Sequence, residues 1–153
     1  NLVVLALLEG AMASGMIIGW VIFLAAIKRF HPVNILLFGL VLDGCTFSIM
    51  YFVQSNYEAI LVLLIHGIGI PLITVARTTL IQTTVPANLQ GRLFSMIYMS
   101  VMGTTAISIG LTGVILEYFE VDILFFIIGV CAALCALIGF ISDNFISLGQ
   151  KVN

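Results

Sequence analysis

The stretch ILFFIIGVCAALCALIGFI, residues 123–141, runs without a single charged, amide or hydroxyl side chain. A helix rises about 1.5 Å per residue and a bilayer core is about 30 Å thick, so roughly 20 apolar residues cross it. This stretch is long enough. Working outward, four earlier stretches meet the same requirement, at residues 2–27, 35–53, 59–83 and 93–116. Short polar links separate them: Lys28 to Pro32, Gln54 to Glu58, Pro86 to Arg92, and Glu117 to Asp122. Continuous runs of this length exclude barrel strands, which show about ten residues of alternating character. The expected fold is therefore all-α, a polytopic membrane bundle of five transmembrane helices. Links this short predict that each successive pair forms an antiparallel hairpin.

Composition agrees along the whole chain. The 153 residues are 62% hydrophobic and 8% charged, where a soluble domain has about 25% charged residues. So few charges cannot cover a surface facing water, and the expected partner is the lipid bilayer. A net charge of −2 with five Lys and Arg leaves no clustered basic surface for phosphates, which excludes a nucleic-acid partner. Cys45, Cys131 and Cys135 all stand in apolar runs, where thiols behave as small hydrophobes. Cys131 and Cys135 lack further Cys or His ligands nearby, so no metal and no other cofactor is expected.

Basic residues gather in cytoplasmic loops. Lys28 and Arg29 lie in the first link, Arg92 in the third and Lys151 in the tail, whereas the second and fourth links carry only acids. That assigns the chain to the cell membrane with its first residue outside and its C-terminus in the cytoplasm. The sequence opens at Asn1 amid apolar residues, without an initiator Met or a signal peptide. With five spans, an odd number, it reads as a fragment.

In lipid, helices hold together by close packing at small residues and by hydrogen bonds between helices. Gly10 and Ser14, then Gly15 and Gly19, offer such faces on the first span, as do Ala106, Gly110 and Gly113 on the fourth. Pro71 removes a backbone donor from the third span and should kink it near mid-membrane.

Ionisable residues inside spans are costly, about 2.5–3.5 kcal/mol on insertion scales, and usually face a partner or a watery path. Four qualify: Glu9, Asp43, His66 and Arg77. Asp43 lies eight residues beyond Ile35 and Arg77 eight before Val85, each about 12 Å from the cytoplasmic end of its span. Equal depth predicts an Asp43–Arg77 ion pair, or at least a shared polar cluster. Glu9 and His66 fall in the outer half. Glu9 faces either an outer cavity mouth or the interface; His66 either bonds a neighbouring helix or relays protons. The third span ends in Thr74, Arg77, Thr78, Thr79, Gln82, Thr83 and Thr84, a face that should look into protein or water. The fourth span adds Ser95, Tyr98, Ser100 and the row Thr104, Ser108 and Thr112. The fifth, almost without polar side chains, should be peripheral. Candidates for lining a pathway are thus Glu9, His66, Arg77, Tyr98, Thr104 and Ser108.

The link Thr84-Val85-Pro86-Ala87-Asn88-Leu89-Gln90-Gly91-Arg92-Leu93-Phe94-Ser95 resembles the V-P-x-x-x-x-G-R-x-F-S segment between helices ten and eleven of major facilitator superfamily drug exporters, in particular the macrolide-efflux-like branch. Gly15 and Gly19 leading to Lys28-Arg29-Phe30 resemble a worn form of that family's basic motif between helices eight and nine, with Ala26 and Ile27 where an Asp is usual. The resemblance implies that the five spans correspond to helices eight to twelve of a major-facilitator-type fold, that an N-terminal half is missing, and that the first, third and fourth spans border a central cavity. It implies peripheral places for the second and fifth, which weakens any substrate role for Asp43; structural or gating roles are expected of Asp43 and, from its effect on the backbone, of Pro71. Pro86 would end the third helix, Gly91 would permit a tight turn, and Arg92 would bond helix-end carbonyls or a distant acid.

The function implied is secondary active transport, with proton-coupled efflux of a drug-like small-molecule substrate. An inactive or structural membrane-protein remnant is the alternative. A membrane-embedded enzyme is disfavoured, because no H-E-x-x-H motif occurs and the only aspartates near the helices beyond Asp122 are Asp43 and Asp143.

Overall fold

A computed structural model describes residues 2–142; Asn1, Asp143 and Lys151, which the sequence reading used, lie outside them. The described chain is five helices: α1 (Leu2–Ala26), α2 (Pro32–Met50), α3 (Asn56–Thr84), α4 (Ala87–Ile115) and α5 (Val121–Ile141). All five are long and apolar enough to cross a membrane.

Local chemistry sets the helix starts. His31 Nδ1 accepts from the amide of Val33 at 3.3 Å, and Pro32 occupies the first position of α2, where its missing donor is not needed. Ser55 and Glu58 form a reciprocal capping box at the head of α3: the Glu58 amide donates to Ser55 Oγ, and Glu58 Oε2 accepts from the Ser55 amide. Glu58 Oε2 also accepts from the Gln54 amide at 2.8 Å. Pro86 stands immediately ahead of α4, which begins at Ala87, six residues before the apolar run at Leu93. The segment 87–92 is helical because Ala, Leu, Gln and Arg are good helix formers and Pro86 fixes the approach.

Packing departs from the expectation of successive hairpins. Among adjacent helices only α2 and α3 lie extensively against each other; the other large seams are α1·α3 and α2·α5, giving a layer in the order α1, α3, α2, α5. Glycine decides these seams. Gly15 and Gly19 of α1 meet the α3 backbone at Leu64 and Ile68, and Gly67 meets Met12 of α1, so closely that a Cβ at any of them would enter the other helix. Indices rise together along this seam, so α1 and α3 run parallel. Gly39 of α2 fits against Leu72 and Ile73. Gly44 meets Gly129 and Ala133 of α5, and Gly139 receives the tip of Leu37. Phe23, Ile35, Leu72 and Ala76 form the buried cluster where α1, α2 and α3 converge. α5 closes one end of the layer, whereas α2, for which a peripheral place is expected, lies between α3 and α5 because Gly39 and Gly44 let both neighbours approach closely.

Fully buried Pro71 is carried inside an uninterrupted α3. α4 stands apart: none of its residues is buried, and it touches α3 only slightly. The expected packing face of Ala106, Gly110 and Gly113 is open, with nothing within 4 Å of a Cβ added at either glycine.

Candidate functional site

The close approach of α2 and α3 brings their polar side chains into one cluster. A Cβ built on Gly69 would lie 3.5 Å from the Gly39 carbonyl and 3.7 Å from the Asp43 amide. One to two turns away, His66 Nδ1 lies 3.3 Å from Asp43 Oδ1 and 3.1 Å from Thr46 Oγ1. Thr46 is buried, and its hydroxyl is shared between the carbonyls of Asp43 at 2.8 Å and Leu42 at 3.0 Å. With the Thr46 proton directed at its own helix, the Thr46 oxygen is left to accept, and the proton between these groups is assigned to His66 Nδ1. Nδ1–H then donates to both Asp43 and Thr46.

Aromatic and apolar side chains wall the cluster. Phe47 meets the His66 ring edge-on at 4.8 Å and stacks on Phe125 of α5 at 5.7 Å. A cavity of about 330 Å³ opens beside them, lined by Met12 of α1, Thr46, Phe47, Val62, His66 and Phe125 among others. Side chains from α1, α2, α3 and α5 therefore surround one imidazole. In such a setting a paired charge is tolerated where a lone one is expelled, since the partner offsets much of the desolvation.

The expected Asp43–Arg77 pair is not formed. Gly39 against Leu72 and Ile73, Asp43 beside Gly69, and Thr46 bonded to His66 all fix one antiparallel register. In that register Arg77 stands level with Ile35, about 12 Å along the axis from Asp43. The two residues were counted from the ends of unequal helices, 19 residues for α2 and 29 for α3, and equal counts did not give equal depth. Among the described residues, His66–Asp43 is the one ion pair, and Arg77 is half-buried on α3.

Other expected residues fall elsewhere. Glu9 is exposed on α1. Tyr98, Thr104 and Ser108 lie exposed on α4, away from the His66 cluster. The α3 hydroxyls do not require a polar environment: Thr74, Thr78, Thr79 and Thr83 each donate to a carbonyl one turn back, at 2.8–2.9 Å. At the α3–α4 junction the helix-end carbonyls are held by Gln90, whose Nε2 donates to Val85 at 2.8 Å and Gln82 at 3.2 Å. Arg92 is exposed. Gly91 is helical, without a positive φ and with open space around it, so it makes no tight turn. Pro86 does follow the end of α3, one residue beyond its Val85 cap.

Thr46 and Gln90 are the residues the sequence reading missed. Thr46 sits three positions after Asp43, on the same helix face, and that spacing was the available signal.

Among the described residues no group of three or more His, Cys, Asp and Glu is arranged to hold a metal ion, and the three cysteines are free. No family model, curated protein or solved structure matches the chain.

Proposed function

We propose that this chain works within a secondary active transporter that expels a drug-like amphiphile in exchange for protons. The observation that carries the reading is the His66–Asp43–Thr46 cluster, an ionisable pair shared by two spans whose His66 and Thr46 line a cavity. Such residues within a membrane are expensive, and their usual use is to relay protons or hold substrate. The pair is neutral overall both as imidazolium with carboxylate and as imidazole with carboxylic acid. Uptake of one proton at Nε2 takes the pair from imidazole with carboxylate, net −1, to either of these neutral forms, and Thr46 keeps the ring oriented while it changes state. Asp43, which does not itself line the cavity, acts through His66. The Val85-Pro86 to Ser95 resemblance supplies the transporter class and the direction of movement, and the open, hydroxyl-bearing α4 is the surface available for a further transporter half.

The test uses everted membrane vesicles containing the chain as its gene encodes it. With an acid interior imposed, a fluorescent amphiphilic dye should accumulate, the accumulation should collapse with a protonophore, and His66→Gln should abolish the dependence on the gradient. Vesicles that hold the folded chain but take up no dye, or uptake indifferent to His66→Gln, would sink the reading.

A further inference from the structure

A second cavity, of about 560 Å³, lies at the opposite end of the bundle from the α2–α3 link. Its size is within the roughly 300–1,000 Å³ of ordinary ligand pockets. Ile22 and Ala26 of α1, Phe30 of the following link, Asn34 and Phe38 of α2 and Phe140 of α5 line it, together with Ile35 and Leu72 at its floor. Asn34 is the only polar side chain among them. Phe30 and Phe38 are exposed, at 59% and 58%, so the cavity is a groove open along its side to the lipid.

Two cations stand in the turn between residues that line the groove. Ala26 and Phe30 both line it, and the tight turn between them, closed by the Phe30 amide on the Ala26 carbonyl at 2.8 Å, carries Lys28 and Arg29. Both are exposed, and neither is in an ion pair among the described residues. At the other end of the bundle the contrast is instructive. There a smaller apolar groove between α2 and α3 is bordered by a carboxylate, Glu58, whose oxygen is already engaged by two amides. One apolar groove of the molecule thus has a carboxylate in its lining, and the other has two cations in the turn beside it.

We infer that the groove between α1, α2 and α5 is a binding site for an anionic phospholipid, one acyl chain lying along Phe38, Ile22 and Phe140 and the phosphate held by Lys28 and Arg29. Charge complementarity selects the headgroup. Two adjacent cations at a membrane surface attract anionic lipid, and a basic recess between spans holds its phosphate more firmly than the surface alone. The Asn34 amide, inside the mouth, is placed to donate to the ester carbonyls that join headgroup to chain. The site is independent of the transport reading, because it needs neither proton coupling nor a substrate.

The experiment places a reporter in the groove. Trp20 is the only tryptophan, so the W20F/F38W chain reports from the groove alone when purified and reconstituted with lipids brominated on their acyl chains. Brominated phosphatidylglycerol should quench Trp at position 38 with an apparent affinity about thirty-fold above that of brominated phosphatidylcholine, the ratio expected of two cations at about 1 kcal/mol each. Adding Lys28→Gln and Arg29→Gln should bring the ratio to about one with helical circular dichroism unchanged. Adding Ala26→Phe instead, which fills the groove and leaves the cations in place, should weaken quenching by both lipids. Equal quenching by the two lipids, a preference that survives loss of both cations, or full displacement of phosphatidylglycerol by millimolar inorganic phosphate would overturn the assignment.

Discussion

Gly44 and Gly129 meet backbone to backbone: a Cβ on Gly44 would lie 2.7 Å from the Gly129 carbonyl oxygen, and one on Gly129 would lie 2.5 Å from that of Gly44. No side chain fits between them without moving a helix. Gly129→Ala should therefore destabilise the chain by about 1–3 kcal/mol, the usual range for overpacking. Gly113→Ala, at a position with nothing within 4 Å, should be neutral or mildly stabilising through helix propensity. Thermal unfolding in detergent, followed by circular dichroism, separates the two.

Removing one member of the half-buried His66–Asp43 pair should do more harm than removing both. His66→Leu leaves Asp43 without its partner, while D43L/H66L leaves no orphan, so the double variant should regain stability over His66→Leu alone. The coupling energy from the cycle should fall near 0.6–1.7 kcal/mol, as for other hydrogen bonds between spans. Steric-trapping measurements of unfolding in bicelles would read it, and a coupling of zero would mean that the contact carries no energy.

The α2–α3 register can be checked by cross-linking. With Cys45, Cys131 and Cys135 replaced by Ser, the T46C/H66C variant should oxidise readily to a disulfide. D43C/R77C should not, because its positions lie about 12 Å apart along the axis and a disulfide requires Cβ atoms about 4 Å apart. Efficient cross-linking of the second pair would contradict the register.

Gln90→Ala should loosen the end of α3. Loss of two hydrogen bonds, each worth about 1 kcal/mol, should speed amide exchange around Thr83 to Val85 by several-fold. Arg92→Ala, at an exposed position in the next turn, should leave that exchange unchanged. Hydrogen–deuterium exchange with peptide-level readout distinguishes them.

The five spans were plain in the sequence because apolar length alone announces them, Ile123 to Ile141 most clearly. Which spans touch was harder to read, since lipid-facing and helix-facing surfaces are equally apolar and only the glycines tell them apart. Gly15 and Gly19 were recognised as a packing face and do pack, whereas Gly110 and Gly113 present the same pattern and pack against nothing here. The candidate site was half legible. His66 and Asp43 stood out as charges in lipid, but their pairing depends on a register that the unequal lengths of α2 and α3 conceal. Gln90 was obscured by its neighbour, because an arginine in a loop draws attention that an amide two residues earlier does not.

One consequence of the isolation of α4 is mechanical. Its 29 residues make a rod roughly 43 Å long, fastened to the rest of the chain chiefly where Gln90 clasps the carbonyls of Gln82 and Val85. A swing of about ten degrees at that clasp carries the far tip through about 7 Å at this length. Small rearrangements around a single amide are thereby converted into a displacement comparable to the spacing between neighbouring helices.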